Sequence, residues 1–143
     1  MVITMNQQKI RTYSELITFP TLIERFDYLK LGGFVGKETF GWDRYLNQRF
    51  YQSREWRKVR DIVIIRDHGC DLGLDGYEIR GRVYIHHMNP IEASDIVDVT
   101  DFLLNPEFLV CVSDMTHNAI HYGDTTLLPQ DPVVRKLGDT KLW

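Results

Sequence analysis

Cysteine is scarce in this chain of 143 residues: there are two, Cys70 and Cys111, and no CxxC pair. A Cys₄ structural zinc is therefore excluded, and a disulfide framework has nothing to build on. The two thiols read as idle groups in a reducing compartment. Long apolar runs are also missing. None approaches the ~20 residues that cross a bilayer, and the opening MVITMNQQKIRTY has no apolar signal core. The expectation is a soluble cytoplasmic protein without a membrane partner. There is no internal repeat and no GxxxxGK[ST] loop, although Gly36-Lys37 lies in a glycine-rich stretch at 32–41. The length excludes a (β/α)₈ barrel. Most telling is an absence of one charge: residues 83–134 hold no lysine or arginine and eight acidic residues.

What is present is globular composition, 43% hydrophobic and 12% aromatic, enough for a core without staples. The net charge of −3 hides a split. Residues 1–82 carry 14 basic and 11 acidic side chains, and from Arg44 to Arg66 seven basic residues face two acidic ones. Four of the five histidines lie inside the acidic stretch. Lysine and arginine supply sequence-independent contacts to phosphates, so Arg44, Arg54, Arg57, Lys58 and Arg60 are candidate nucleic-acid contacts.

Periodicity predicts a helix over 21–31, ended by Gly32-Gly33, after a loose polar start at 1–14. Two helical pieces are expected over 43–66, the second capped by Ser53 and burying Trp56, Val59, Ile62 and Val63. Asp75-Gly76 signals a turn. A strand is expected over 82–87, a helix over 94–104 broken by Asn105-Pro106, and a strand over 108–112. A last helix should run from the Ser113 cap to Gly123. From Asp124 the chain reads as an extended tail. Among the remaining residues, His68 reads as a turn histidine and Asp114 as a first-turn acid. Tyr84 and Tyr122 read as packing, and Asp95, Asp98 and Asp101 as a solvated helix face.

His117 and His121 are four apart on that last helix and share a face. Two imidazoles there can hold one metal ion. His86 and His87 are adjacent in a strand and point to opposite sides, so they suit two different tasks. One can complete a metal triad. The other, a neutral imidazole with an ordinary pKa near 6.5, can serve as a general base. An activated water and a charge clamp are what phosphodiester hydrolysis requires.

The stretches His86-His87-Met88-Asn89-Pro90, Asn105-Pro106-Glu107-Phe108-Leu109 and Thr116-His117-Asn118-Ala119-Ile120-His121 resemble the HNH endonucleases. The chain as a whole is similar to small phage-encoded members of that group. The resemblance implies an α+β fold: a ββα-metal (HNH, His-Me finger) core with N-terminal helices and an extended C-terminal tail. The corresponding segments are an N-terminal helical extension and Gly-rich loop at 1–43, a nuclease domain at 44–123 and a tail at 124–143. It implies His87 as general base and His86, His117 and His121 as ligands of one divalent ion: zinc, nickel, manganese or magnesium. The motif's middle Asn falls on Phe108. Asn105 could take its orienting role, and Asn89 and Asn118 are alternative orienting or metal-binding residues. The implied activity is hydrolysis of DNA to 3′-hydroxyl and 5′-phosphate products. One site cuts one strand, so double-strand cleavage needs a homodimer or two encounters by a monomer. Phage terminase or other packaging proteins are the implied partners. The competing expectations are a zinc-stabilised DNA- or terminase-binding module without catalysis, and a metal-independent protein with satisfied histidines.

Overall fold

A computed structural model describes residues 9–30 and 44–129, and of residues 44–47 the backbone alone. The glycine-rich stretch at 32–41, the tail beyond residue 129 and the side chain of Arg44 lie outside the described residues. Among them are seven α-helices and one two-stranded antiparallel sheet, a mixed α and β architecture. No described helix is long and apolar enough to cross a membrane.

The sheet pairs β1 (Tyr84–His87) with β2 (Leu109–Val112), with Tyr84 opposite Val112 and His87 opposite Leu109. Successive side chains of a strand face opposite ways, and two cores form accordingly. On one face Tyr84, Met88, Val110 and Val112 pack with α2 (Leu22–Leu29) and α7 (Asp114–Tyr122) through Leu22, Phe26, Leu29, Ala119 and Ile120. On the other, Val83, Ile85, Leu109 and Cys111 pack with Phe50, Trp56, Val63 and Leu103. These come from α3 (Arg44–Tyr51), α4 (Arg54–Arg66) and α6 (Asp101–Leu104). The N-terminal helices thus share a core with the hairpin and α7.

Local signals explain most element ends. The Ser53 and Ser113 side chains accept hydrogen bonds from the N–H groups of Trp56 and Thr116, capping α4 and α7. Gly123 closes α7 at φ 66°, in the left-handed region. Other expectations are corrected. The polar start contains α1 (Tyr13–Leu16), capped by Thr12 and held by burial of Leu16. Residues 94–104 do not form one helix. Val99 adopts φ 48° and separates α5 (Ala93–Asp98) from α6. Asp95 is not a solvated acid, because it accepts from the Glu92 N–H and the Thr100 hydroxyl. Ile62 and Tyr122, expected in the core, are exposed.

Among the described residues, no third strand pairs with the outer edge of β2. Because the Met88 N–H donates to the Phe108 carbonyl, Leu109, Cys111 and Ser113 turn their backbone groups outward. Side chains meet them instead. Arg66 donates to the Leu109 carbonyl at 2.6 Å, and Asp67 accepts from the Cys111 N–H at 2.9 Å. Asp71 accepts from the Ser113 N–H at 2.6 Å. The arginine also lies over the Tyr13 ring at 3.5 Å. This edge-covering holds the hairpin, and with it the histidines, in place.

Candidate metal centre and nucleic-acid interface

β1 ends in His86 and His87, and α7 carries His117 and His121 one turn apart. The hairpin face that carries Tyr84 and His86 looks toward α7. As a result three imidazoles converge. The ring centroids of His117 and His121 are 4.3 Å apart, and His86 lies 5.8 Å and 6.3 Å from them. Nε2 of His117 and Nε2 of His121 approach to 3.0 Å. Two such lone pairs need a proton or a cation between them. Two nitrogens on one tetrahedral zinc stand about 3.3–3.4 Å apart, with imidazole centroids about 5 Å apart. The observed spacings bracket that value. As the side chains lie, no three His, Cys, Asp or Glu groups among the described residues are close enough together to hold an ion. His86 would have to move by about 1 Å, within the reach of a small χ adjustment.

The chemistry of the donors fits a metal. His86 is buried, and its Nε2 has no hydrogen-bond partner among the described residues, so its lone pair is uncommitted. Burial, then the charges of His117, His87 and His121, hold its pKa well below the ordinary value. Burial lowers His117 too, with His121 adding to the effect and Asp114 opposing it; burial alone lowers His121. All three are therefore neutral at pH 7, the form that ligates. The Tyr84 ring stacks on His117 at 6.2 Å and 16° and fixes its plane.

His87 faces the other way. Its ring stacks on Trp56 at 5.3 Å and 18°, with Tyr51 at 6.3 Å. Its Nε2 is also buried and unpartnered among the described residues. Burial pulls its pKa down to about 4, against a small opposing effect of the Leu103 backbone and Asp95. It is a neutral proton acceptor at pH 7, and a weaker base than an exposed histidine.

The asparagines sit elsewhere. Asn105 accepts from the Glu107 N–H at 2.9 Å and donates to Asp101 at 3.0 Å, so its side chain caps the turn before β2. Both bonds stay within residues 101–107. Asn89 is buried and clamps the main chain of Arg11, accepting from its N–H at 2.8 Å and donating to its carbonyl at 2.9 Å. Asn118 is half-buried on α7.

Of the basic residues, Arg54, Arg57 and Lys58 are exposed and Arg60 is half-buried. Arg57 and Arg60 line a groove of about 740 Å³ together with Arg82, Tyr51, Trp56 and Tyr84. The groove touches both histidine groups through their stacking partners: Trp56 packs on His87 and Tyr84 on His117. Arg82, whose guanidinium sits 5.1 Å over Tyr84, was missed in the sequence. It stands just before the stretch that lacks basic residues, and the signal was its place as the first residue of the strand expected over 82–87. Arg66, by contrast, belongs to the edge of β2 and is unavailable to phosphate. Comparison with protein-family models, with curated proteins and with solved structures finds no match to this chain.

Proposed function

We propose that this chain is a metal-dependent endonuclease of the HNH type that hydrolyses DNA phosphodiester bonds. The observation that carries the reading is the convergence of His86, His117 and His121 from a hairpin and the following helix. Those three would hold one divalent ion. When bound, such an ion supplies the positive charge that polarises a scissile phosphate and stabilises a leaving oxygen. His87, neutral at pH 7, accepts a proton from the attacking water. Arg57, Arg60 and Arg82 hold the phosphate backbone along the groove, and Trp56 and Tyr84 wall it. The resemblance to phage-encoded HNH proteins extends the proposal to genome processing beside a packaging terminase.

A second reading has one observation in its favour. His87 is half-buried and stacked on Trp56 of the second core, with a depressed pKa, which suits a packing role. The chain would then be a zinc-stabilised module that docks on DNA or terminase without cutting.

Supercoiled plasmid incubated with the protein and magnesium, manganese, nickel or zinc separates the two. The nuclease reading expects nicked or linear product with at least one ion, lost in His87→Ala. Cleavage by His87→Ala at the wild-type rate would refute the base assignment. DNA retention without cleavage under every ion would favour the binding module.

A further inference from the structure

The groove that Arg57, Arg60 and Arg82 share with Tyr51, Trp56 and Tyr84 is uneven in what its aromatic rings can offer. Trp56 is only 6% exposed; its ring is stacked on His87, with Phe50 and Tyr51 against it at 5.3 Å and 5.1 Å. Tyr84 is half-buried, with its ring stacked at 16° on His117 and the Arg82 guanidinium 5.1 Å over it. Tyr51 differs. It stands at the C-terminal end of α3 with 45% of its surface exposed. Edge-on contacts to Phe50 at 69° and to Trp56 at 79° hold the ring. Such a ring is positioned by its neighbours before a ligand arrives, so it loses little side-chain freedom when something stacks on it.

Guanidinium groups beside an exposed ring are the two components of single-strand recognition: positive charge that tracks the backbone, and an aromatic face that takes a base. Asp61 also lines the groove, and its carboxylate, 3.9 Å from Arg60, offsets part of one charge. Arg57 and Arg82, both exposed, remain for phosphate. A duplex cannot use the Tyr51 ring, because its paired bases are stacked on one another and show only their edges in the grooves. At about 740 Å³ the groove falls within the size range of sites that enclose a small ligand, and one nucleotide is such a ligand. We propose that this groove binds a single-stranded segment of DNA, with Tyr51 as the stacking platform for an unpaired base. The proposal rests on the nucleic-acid reading put forward above and is independent of the metal centre. It names the form of the substrate: an unpaired nucleotide beside His87, whose ring lies 6.3 Å from that of Tyr51.

The test is the fluorescence anisotropy of fluorescein-labelled probes of one length, titrated with the full chain in chelator so that no metal-dependent cleavage occurs. The probes are oligothymidylate, the same backbone with abasic sites throughout, and an oligothymidylate–oligoadenylate duplex. The wild type should bind oligothymidylate about tenfold more tightly than the abasic strand, and more tightly than the duplex. Tyr51→Ala should lose the difference between the two single strands, whereas Tyr51→Phe should keep it. The slope of log Kobs against log salt should be the same in Tyr51→Ala as in the wild type, because the arginines remain. A merely structural tyrosine would instead weaken binding of all three probes alike, and that result overturns the proposal. So would a Tyr51→Ala variant that keeps the difference, or a wild type that binds the abasic strand or the duplex as tightly as oligothymidylate. If Tyr51→Ala fails to fold by circular dichroism, irradiation of the wild type with oligothymidylate carrying 5-iodouracil decides. A crosslink mapped to Tyr51 by mass spectrometry is expected; no crosslink, or crosslinks confined to other residues, would overturn the platform. Binding of none of the three probes would overturn the nucleic-acid reading and this proposal with it. Plasmid cleavage without any preference for the thymidylate strand would overturn the single-strand proposal alone.

Discussion

His87 makes the apoprotein sensitive to acid in a way that can be worked out from its surroundings. In the native chain its half-buried ring is stacked on Trp56 with Nε2 turned away from solvent, and burial pulls its pKa down to about 4. In the unfolded chain the ordinary value near 6.5 returns. Above pH 6.5 both states are neutral and the shift has no effect on stability. Below it, the unfolded chain takes up a proton that the native chain refuses, so stability falls as pH falls. The difference of about 2.5 pKa units corresponds to about 3 kcal/mol, reached near pH 4. Burial lowers His86 in the same direction, so the whole protein loses more than this. The contribution of His87 is isolated by comparing wild type with His87→Leu in urea titrations at pH 7.5 and pH 4, with chelator present. Trp56 lies against the substituted ring, and tryptophan fluorescence provides the signal. The variant should lose about 3 kcal/mol less than the wild type between the two pH values. Equal losses would refute the reasoning, because they would mean that His87 titrates alike in both states.

Other consequences follow from particular contacts. Asp67→Ala leaves the Cys111 N–H at the edge of β2 without its acceptor and Arg66 without its carboxylate. A cost of about 2–3 kcal/mol is expected in the urea midpoint, whereas a change of a few tenths would mean that water replaces the carboxylate. Arg57→Ala, Arg60→Ala and Arg82→Ala should each weaken DNA binding evenly across sequences. Each should also lower the slope of log Kobs against log salt by about one. An unchanged slope would remove that residue from the phosphate contacts.

The parts of the fold that were legible in the sequence are those governed by neighbours along the chain. Ser53, Ser113 and Gly123 mark helix ends because capping is a matter of three or four residues. The opposed facing of His86 and His87 follows from the two-residue period of a strand, and the shared face of His117 and His121 from the turn of a helix. What was not legible depends on contacts between distant segments. Arg66 belongs by sequence to a basic run, yet the outer edge of β2, 43 residues on, claims it. Arg11 sits in a polar stretch that lacks periodicity, and only a bond across 78 residues ties its main chain to Asn89 beyond the end of β1. The break at Val99 was hidden because a valine at positive φ is held by its surroundings and does not announce a turn. Asn105 was a plausible orienting residue by position, but in the fold its side chain caps the turn before β2.

The most direct test of the metal centre is the number of ions held per chain after equilibration with zinc and removal of the excess, measured by elemental analysis. One ion per chain is expected for the wild type and for His87→Ala, whose ring faces the other core. His86→Ala, His117→Ala and His121→Ala should each lose it or hold it far more weakly. A wild type that retains no ion, or a His87→Ala variant that loses it while His117→Ala keeps it, would contradict the assignment.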